Sequence, residues 1–103
     1  MQVISSKDNE FIKHIKKLKE KKYRDINKEF IIEGIKLIKE AIEENAEIKQ
    51  IVICDNCQNS DIIPKELMYE IAKYECVYVT ENIFKTISDV NTTAVFLLAI
   101  LLI

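Results

Sequence analysis

Gly34 is the only glycine in 103 residues, and Pro64 the only proline. A chain so poor in both has few places to turn sharply and no stretch that reads as a flexible linker. Gly34 stands where the apolar run Phe30-Ile31-Ile32-Glu33 gives way to Ile35-Lys36-Leu37-Ile38, whose apolar residues recur at helical spacing. The Glu33-Gly34 step therefore reads as a tight strand-to-helix turn with an exposed helix N-terminus. With no internal boundary, repeat or low-complexity tract, residues 1–103 read as one domain with a modest core.

On either side of this turn the pattern alternates between strand and helix. Residues 7–20 are expected to form a helix with Phe11, Ile15 and Leu18 on its buried face, Ser6 as its cap and lysines around the rest. Residues 21–27 read as a polar connection. Strands are expected at 30–32, 48–54, 77–79 and 94 to about 100. Helices are expected at 34–44, from Pro64 onward with Leu67, Met68, Ile71 and Ala72 buried, and from a Thr80 cap to Ile87. The order predicts a three-layer α/β/α domain with a largely parallel, four-stranded sheet.

The net charge of −2 hides an asymmetry. Residues 7–24 hold eight basic side chains against three acids, so the rest of the chain is strongly acidic. Such a basic segment suits a polyanion, or is simply the solvated face of a lysine-rich helix. Arg24 is the only arginine, and its planar fork suits phosphate or a guanine edge. At Gly34 free helix N-terminal amides would attract phosphate, with Lys36 and Lys39 adding charge.

The ordered set of features also resembles a known family. Ile4-x-Ser6, a basic first helix, Lys22-x-Arg24, Phe30-x-x-Glu33-Gly34, an apolar second strand and then Phe84 with Ser88-Asp89 are similar to the N-terminal substrate-binding domain of SpoU (TrmH-type) RNA 2′-O-ribose methyltransferases. The likeness covers about residues 2–92. It implies the fold of kink-turn-binding ribosomal proteins, in which the junction after the first strand faces RNA. On that basis Lys13, Lys16, Lys17, Lys21, Lys22, Arg24, Glu33, Gly34 and Lys36 are the expected contacts to ribosomal or transfer RNA. The resemblance further implies a second, knotted domain that binds S-adenosylmethionine, which these 103 residues do not contain. No cofactor is therefore expected in this chain, and by itself it is expected to be inactive as a methyltransferase. Where the family usually reads Thr-Pro-Gln-Gly after Ser-Asp, this chain has Val90-Asn91-Thr92-Thr93.

Other chemistries fit poorly. Walker, dinucleotide and nucleophile-elbow motifs each need more than one glycine. Cys54-Asp55-Asn56-Cys57 lacks two further nearby metal ligands and is followed by an acidic loop, so buried or incidental thiols are expected and no metal. His14 lies among lysines, which suits an exposed or RNA-facing imidazole better than a catalytic base. Three cysteines without a signal peptide point to the cytoplasm. The apolar run from Ala94 to Ile103 is too short to cross a membrane as a helix and reads as a buried strand. Two further readings stay open: a freestanding kink-turn binder, and a protein-interaction domain that forms a homodimer through its apolar end.

Overall fold

A computed structural model describes residues 2–55, 63–89 and 97–103. Its elements in chain order are β1 (Val3–Ile4), α1 (Glu10–Lys17), α2 (Lys21–Asn27), β2 (Glu29–Glu33), α3 (Ile35–Glu43), β3 (Ile48–Cys54), α4 (Lys65–Ile71), β4 (Cys76–Val79), α5 (Glu81–Ile87) and β5 (Leu97–Leu102). The strands lie in the order β1-β4-β3-β5-β2. β1, β4 and β3 are mutually parallel, while β5 runs antiparallel to both β3 and β2.

The α/β class is as expected, with two differences of detail. Among the described residues the sheet has five strands, because Val3 and Ile4 pair with Tyr78 and Val79. One strand, β5, is reversed between its neighbours. A strand buried on both faces is apolar throughout, so its sequence carries no sign of direction. Leu97, Leu98, Ala99, Ile100 and Leu101 are all buried, which places this part of the apolar run in an interior strand between β3 and β2; residues 94–96, where the strand is expected to begin, lie outside the described residues. Only Leu102 and Ile103 remain exposed there.

The sheet separates two cores. On one face Ile12, Ile15 and Leu18 of the α1 region pack with Ile83, Phe84 and Ile87 of α5 over Val52, Val79, Leu98 and Ile100. On the other, Ile38 of α3 and Leu67 and Ile71 of α4 cover Ile51, Ile53, Leu97, Ala99 and Leu101. The two-residue strand period explains the split, because even- and odd-numbered residues of β3 and β5 enter opposite cores. In α4 only two of the four residues expected inside are buried. Met68 is 37 % exposed and Ala72 lies on the outer surface, because the short helix turns only Leu67 and Ile71 to the sheet.

The helix expected over residues 7–20 is shorter. Its cap is Asn9, whose Oδ1 accepts from Phe11 N at 2.8 Å and Ile12 N at 3.3 Å. Ser6 instead accepts from Asp8 N in the turn before it. The chain then bends, and the expected connection at 21–27 is α2, which ends on Lys28 in the left-handed region at φ 57°. At the other end of the domain Thr80 caps α5 as expected, its Oγ1 accepting from Ile83 N.

Candidate nucleic-acid interface

The strand-to-helix turn needs glycine for its backbone and not for space. Gly34 adopts φ 104° and ψ 154°, a region that L residues rarely enter, yet nothing lies within 4 Å of where a Cβ would stand. Its N–H donates to Leu97 O across the sheet, and its carbonyl accepts the first α3 bond from Ile38 N. No side chain caps α3, so its first-turn amides have no side-chain acceptor.

Glu33 is turned inward. Its carboxylate accepts from the Ser88 hydroxyl and from Asp89 N at 3.1 Å, so it ties the end of α5 to the β2–α3 turn. Asp89 in turn pairs with Lys19 at 2.5 Å, just past α1. The Glu-Gly and Ser-Asp features, more than fifty residues apart, thus form one latch that holds the turn in place. Sequence reasoning placed Glu33 among the contacts. Its structural partners were visible only as a second feature of the same resemblance.

The basic residues divide into two groups. Lys17 and Lys22 are exposed and converge on Tyr23, with Nζ atoms 5.7 and 5.5 Å from the ring centre. Among the described residues neither of them, nor Lys16 or Lys36, forms an ion pair. Lys13 stands 3.8 Å from Glu10 and Lys21 2.7 Å from Asp25, both as exposed local pairs that bind weakly. Arg24 points elsewhere: its Nη1 donates to Leu18 O at 3.0 Å and closes the C-terminus of α1. Lys36 is exposed on α3, whose buried side packs on the opposite face of the sheet from α1.

His14, expected to be exposed or RNA-facing, is partly exposed and paired with a carboxylate. Its Nε2 lies 2.6 Å from Glu29 Oε1, and Lys49 Nζ lies 2.6 Å from Glu29 Oε2. Glu29 is the one buried charged residue among those described, at 4 % exposure. Burial alone would push its carboxyl up, but the hydrogen bonds and charges of Lys49 and His14 outweigh this and hold it below the ordinary value. The three residues pin α1, β2 and the start of β3 together.

Cys54 is buried at the end of β3, which is one of the two readings of the thiols; Cys57 lies outside the described residues. Burial pushes the Cys76 thiol up, and its Sγ donates to Ile71 O and Tyr74 O. Among the described residues no group of three or more His, Cys, Asp or Glu could hold a metal ion. No helix there is long and apolar enough to cross a membrane. S-adenosylmethionine, which the resembled enzymes use, calls for loops whose backbone can close on it. Gly34, the only glycine, stands at the strand-to-helix turn, and no methyl-transfer step is assigned to these residues.

Comparison with known proteins agrees with this architecture. Residues 9–97 match the family described as MRM3-like substrate binding domain. The chain is 32 % identical over 92 residues to the 23S rRNA (guanosine(2553)-2′-O)-methyltransferase RlmP of Bacillus subtilis (strain 168), covering 89 % of this chain and 34 % of that protein. It therefore spans about a third of the length of the curated relative it matches. A crystal structure of an RNA 2′-O ribose methyltransferase superposes with a TM-score of 0.78 at 25 % identity, covering 98 % of this chain and 37 % of the other. The SpoU methyltransferase AviRb from Streptomyces viridochromogenes, solved in complex with the cofactor AdoMet, shares the fold with a TM-score of 0.78 at 16 % identity, covering 92 % and 36 %.

Proposed function

Because this chain belongs to the MRM3-like substrate binding domain family, we propose that its 103 residues act as one RNA-recruiting domain of a ribosomal RNA 2′-O-ribose methyltransferase. The observation that carries this reading is the basic corner where α1 meets α2. There Lys17 and Lys22 flank Tyr23, exposed and without carboxylate partners among the described residues. Lysines in that state release counterions when they meet phosphate, and they hold a backbone without reading its sequence.

The role is positioning. Lys13, Lys16, Lys17, Lys21 and Lys22 supply the charge, and the uncapped start of α3 at Gly34 and Lys36 offers a second point for a phosphate. Glu33 and Arg24 serve by holding the turn and the end of α1 in shape. Methyl transfer, with its S-adenosylmethionine, belongs to the rest of such an enzyme, and a cytoplasmic location is part of the same proposal. These relatives do not favour a freestanding kink-turn binder or a protein-interaction module.

The test is a fluorescence-anisotropy titration of structured 23S ribosomal RNA fragments with the chain at two salt concentrations. Binding should weaken as salt rises. The double reversal Lys17→Glu, Lys22→Glu should weaken it at every salt and flatten the logarithmic salt slope by roughly 1–2 units. Unchanged affinity in the reversed variant would remove the α1–α2 corner from the interface.

A further inference from the structure

The outer edge of the sheet carries a site that the basic corner does not use. Among the described residues β2 pairs only with β5, from Glu29 opposite Leu102 to Glu33 opposite Leu98, without a break in register. Lys28 O accepts from Ile103 N and Gly34 N donates to Leu97 O, so the even-numbered residues turn their amides and carbonyls toward β5. By the two-residue period, those of Ile31 and Glu33 face the other way. No backbone hydrogen bond joins them to another described residue.

That edge opens into a groove of about 530 Å³ lined by the four consecutive residues from Phe30 to Glu33. Leu18 and Ile87 wall it on one side of the strand and Leu37, half exposed, on the other. Of the devices that blunt natural edge strands, β2 has glutamates at both ends but no proline, bulge or outward lysine. The charges within the groove are almost all matched. Lys19 pairs with Asp89, and the Glu33 carboxylate is held by Ser88 and the Asp89 amide. Arg24 is the exception: it bonds a carbonyl and forms no ion pair with a described residue.

We propose that this groove receives an extended segment of a partner protein, which adds a strand to β2 and sets an acidic side chain against Arg24. The unpaired amides and carbonyls supply main-chain hydrogen bonds, and the apolar walls take alternate side chains of the incoming strand. The unmatched guanidinium selects a carboxylate, which it binds through parallel N–H bonds. A nucleic-acid strand fits worse, because the Leu18, Ile87 and Leu37 walls are apolar and the Lys19 charge is already taken by Asp89.

The experiment uses the 103-residue chain and a fluorescein-labelled heptapeptide, Ser-Thr-Val-Glu-Val-Thr-Ser, with a glutamine counterpart and a version N-methylated at alternate residues. The glutamate peptide should bind about tenfold tighter than the glutamine one, the expected worth of a charge-assisted hydrogen bond. Arg24→Gln should erase that preference, and comparing the two peptides on the unaltered chain makes the same test without touching α1. N-methylation should abolish binding, and amide hydrogen exchange at Ile31 and Glu33 should slow only when the unmethylated peptide is present. No binding at millimolar peptide, or equal binding of the N-methylated peptide, overturns the proposal. So does displacement by single-stranded polyuridine that itself protects the Ile31 and Glu33 amides, which would make the groove a nucleic-acid surface.

Discussion

Replacing Gly34 by alanine separates two reasons for which a glycine can be required. At φ 104° and ψ 154° the backbone sits in a region used essentially by glycine alone, where another residue costs about 1–3 kcal/mol. A Cβ would meet no atom within 4 Å, so no clash adds to that cost. Alanine also restricts the unfolded chain, which offsets roughly 0.4–1 kcal/mol. The net expectation for Gly34→Ala is a loss of about 1–2 kcal/mol, or a fall in Tm of roughly 4–16 °C for a domain near this size. Gly34→Ser should lose the same amount to within about 0.5 kcal/mol, because the penalty belongs to the backbone and is indifferent to side-chain size. Urea unfolding followed by circular dichroism would measure both, with a lower midpoint and an unchanged slope. A loss that grows steadily from alanine to serine to valine would mean that packing sets the requirement. No loss at all would mean that the turn can adopt an ordinary conformation, and the account of the site's geometry would fall.

Glu29 should govern the acid limb of stability. Its folded carboxyl lies below the ordinary value of 4.5, so its contribution is complete above that value and is lost as pH falls through the folded one. Glu29→Gln should cost about 1–3 kcal/mol at pH 7, less than a fully buried pair because His14 and Lys49 reach water, and the difference from the parent should shrink in urea titrations toward pH 3. Lys28→Gly should raise stability by about 0.5–1 kcal/mol, since it relieves a left-handed lysine at the end of α2. Asn9→Ala should lower it by about 1 kcal/mol through loss of the α1 cap, whereas Ser6→Ala should change it by less than about 0.5 kcal/mol. Exchanging the two ranks would restore the longer first helix.

What could be read in the sequence followed from periodicity and punctuation. The run from Phe30 to Glu33, the turn at Gly34, the Ile48–Cys54 strand, Pro64 at the start of α4 and the Thr80 cap all carry local signals, and each lies where its signal places it. α2 was illegible because none of its residues is buried and it ends on lysine where glycine or asparagine would mark a stop. β1 is two residues long and exists only because β4 offers it an edge. The reversal of β5 has no sequence signature, since both of its faces are covered. Within the site, the lysines were legible as charge. The inward turns of Glu33, Arg24 and His14 were not, because each answers to a partner brought close only by folding: Ser88 with Asp89, the Leu18 carbonyl, and Glu29.

The place of β5 in the sheet bears on how the chain leaves the ribosome. β2 is made early, but its one partner among the described strands is β5, and β5 also closes the side of β3 left open by β4. Until residues 97–102 emerge, the strand from Glu29 to Glu33 has nothing to pair with and the half-built sheet shows apolar faces to solvent. Folding must therefore wait on a late, long-range closure, which is slow for reasons of loop entropy and leaves a nascent chain open to aggregation. A ribosome stalled before Leu97 should hold a protease-sensitive chain, and one stalled well past Leu102 a resistant one. Such a domain depends on chaperones most during its own synthesis and least once it is complete.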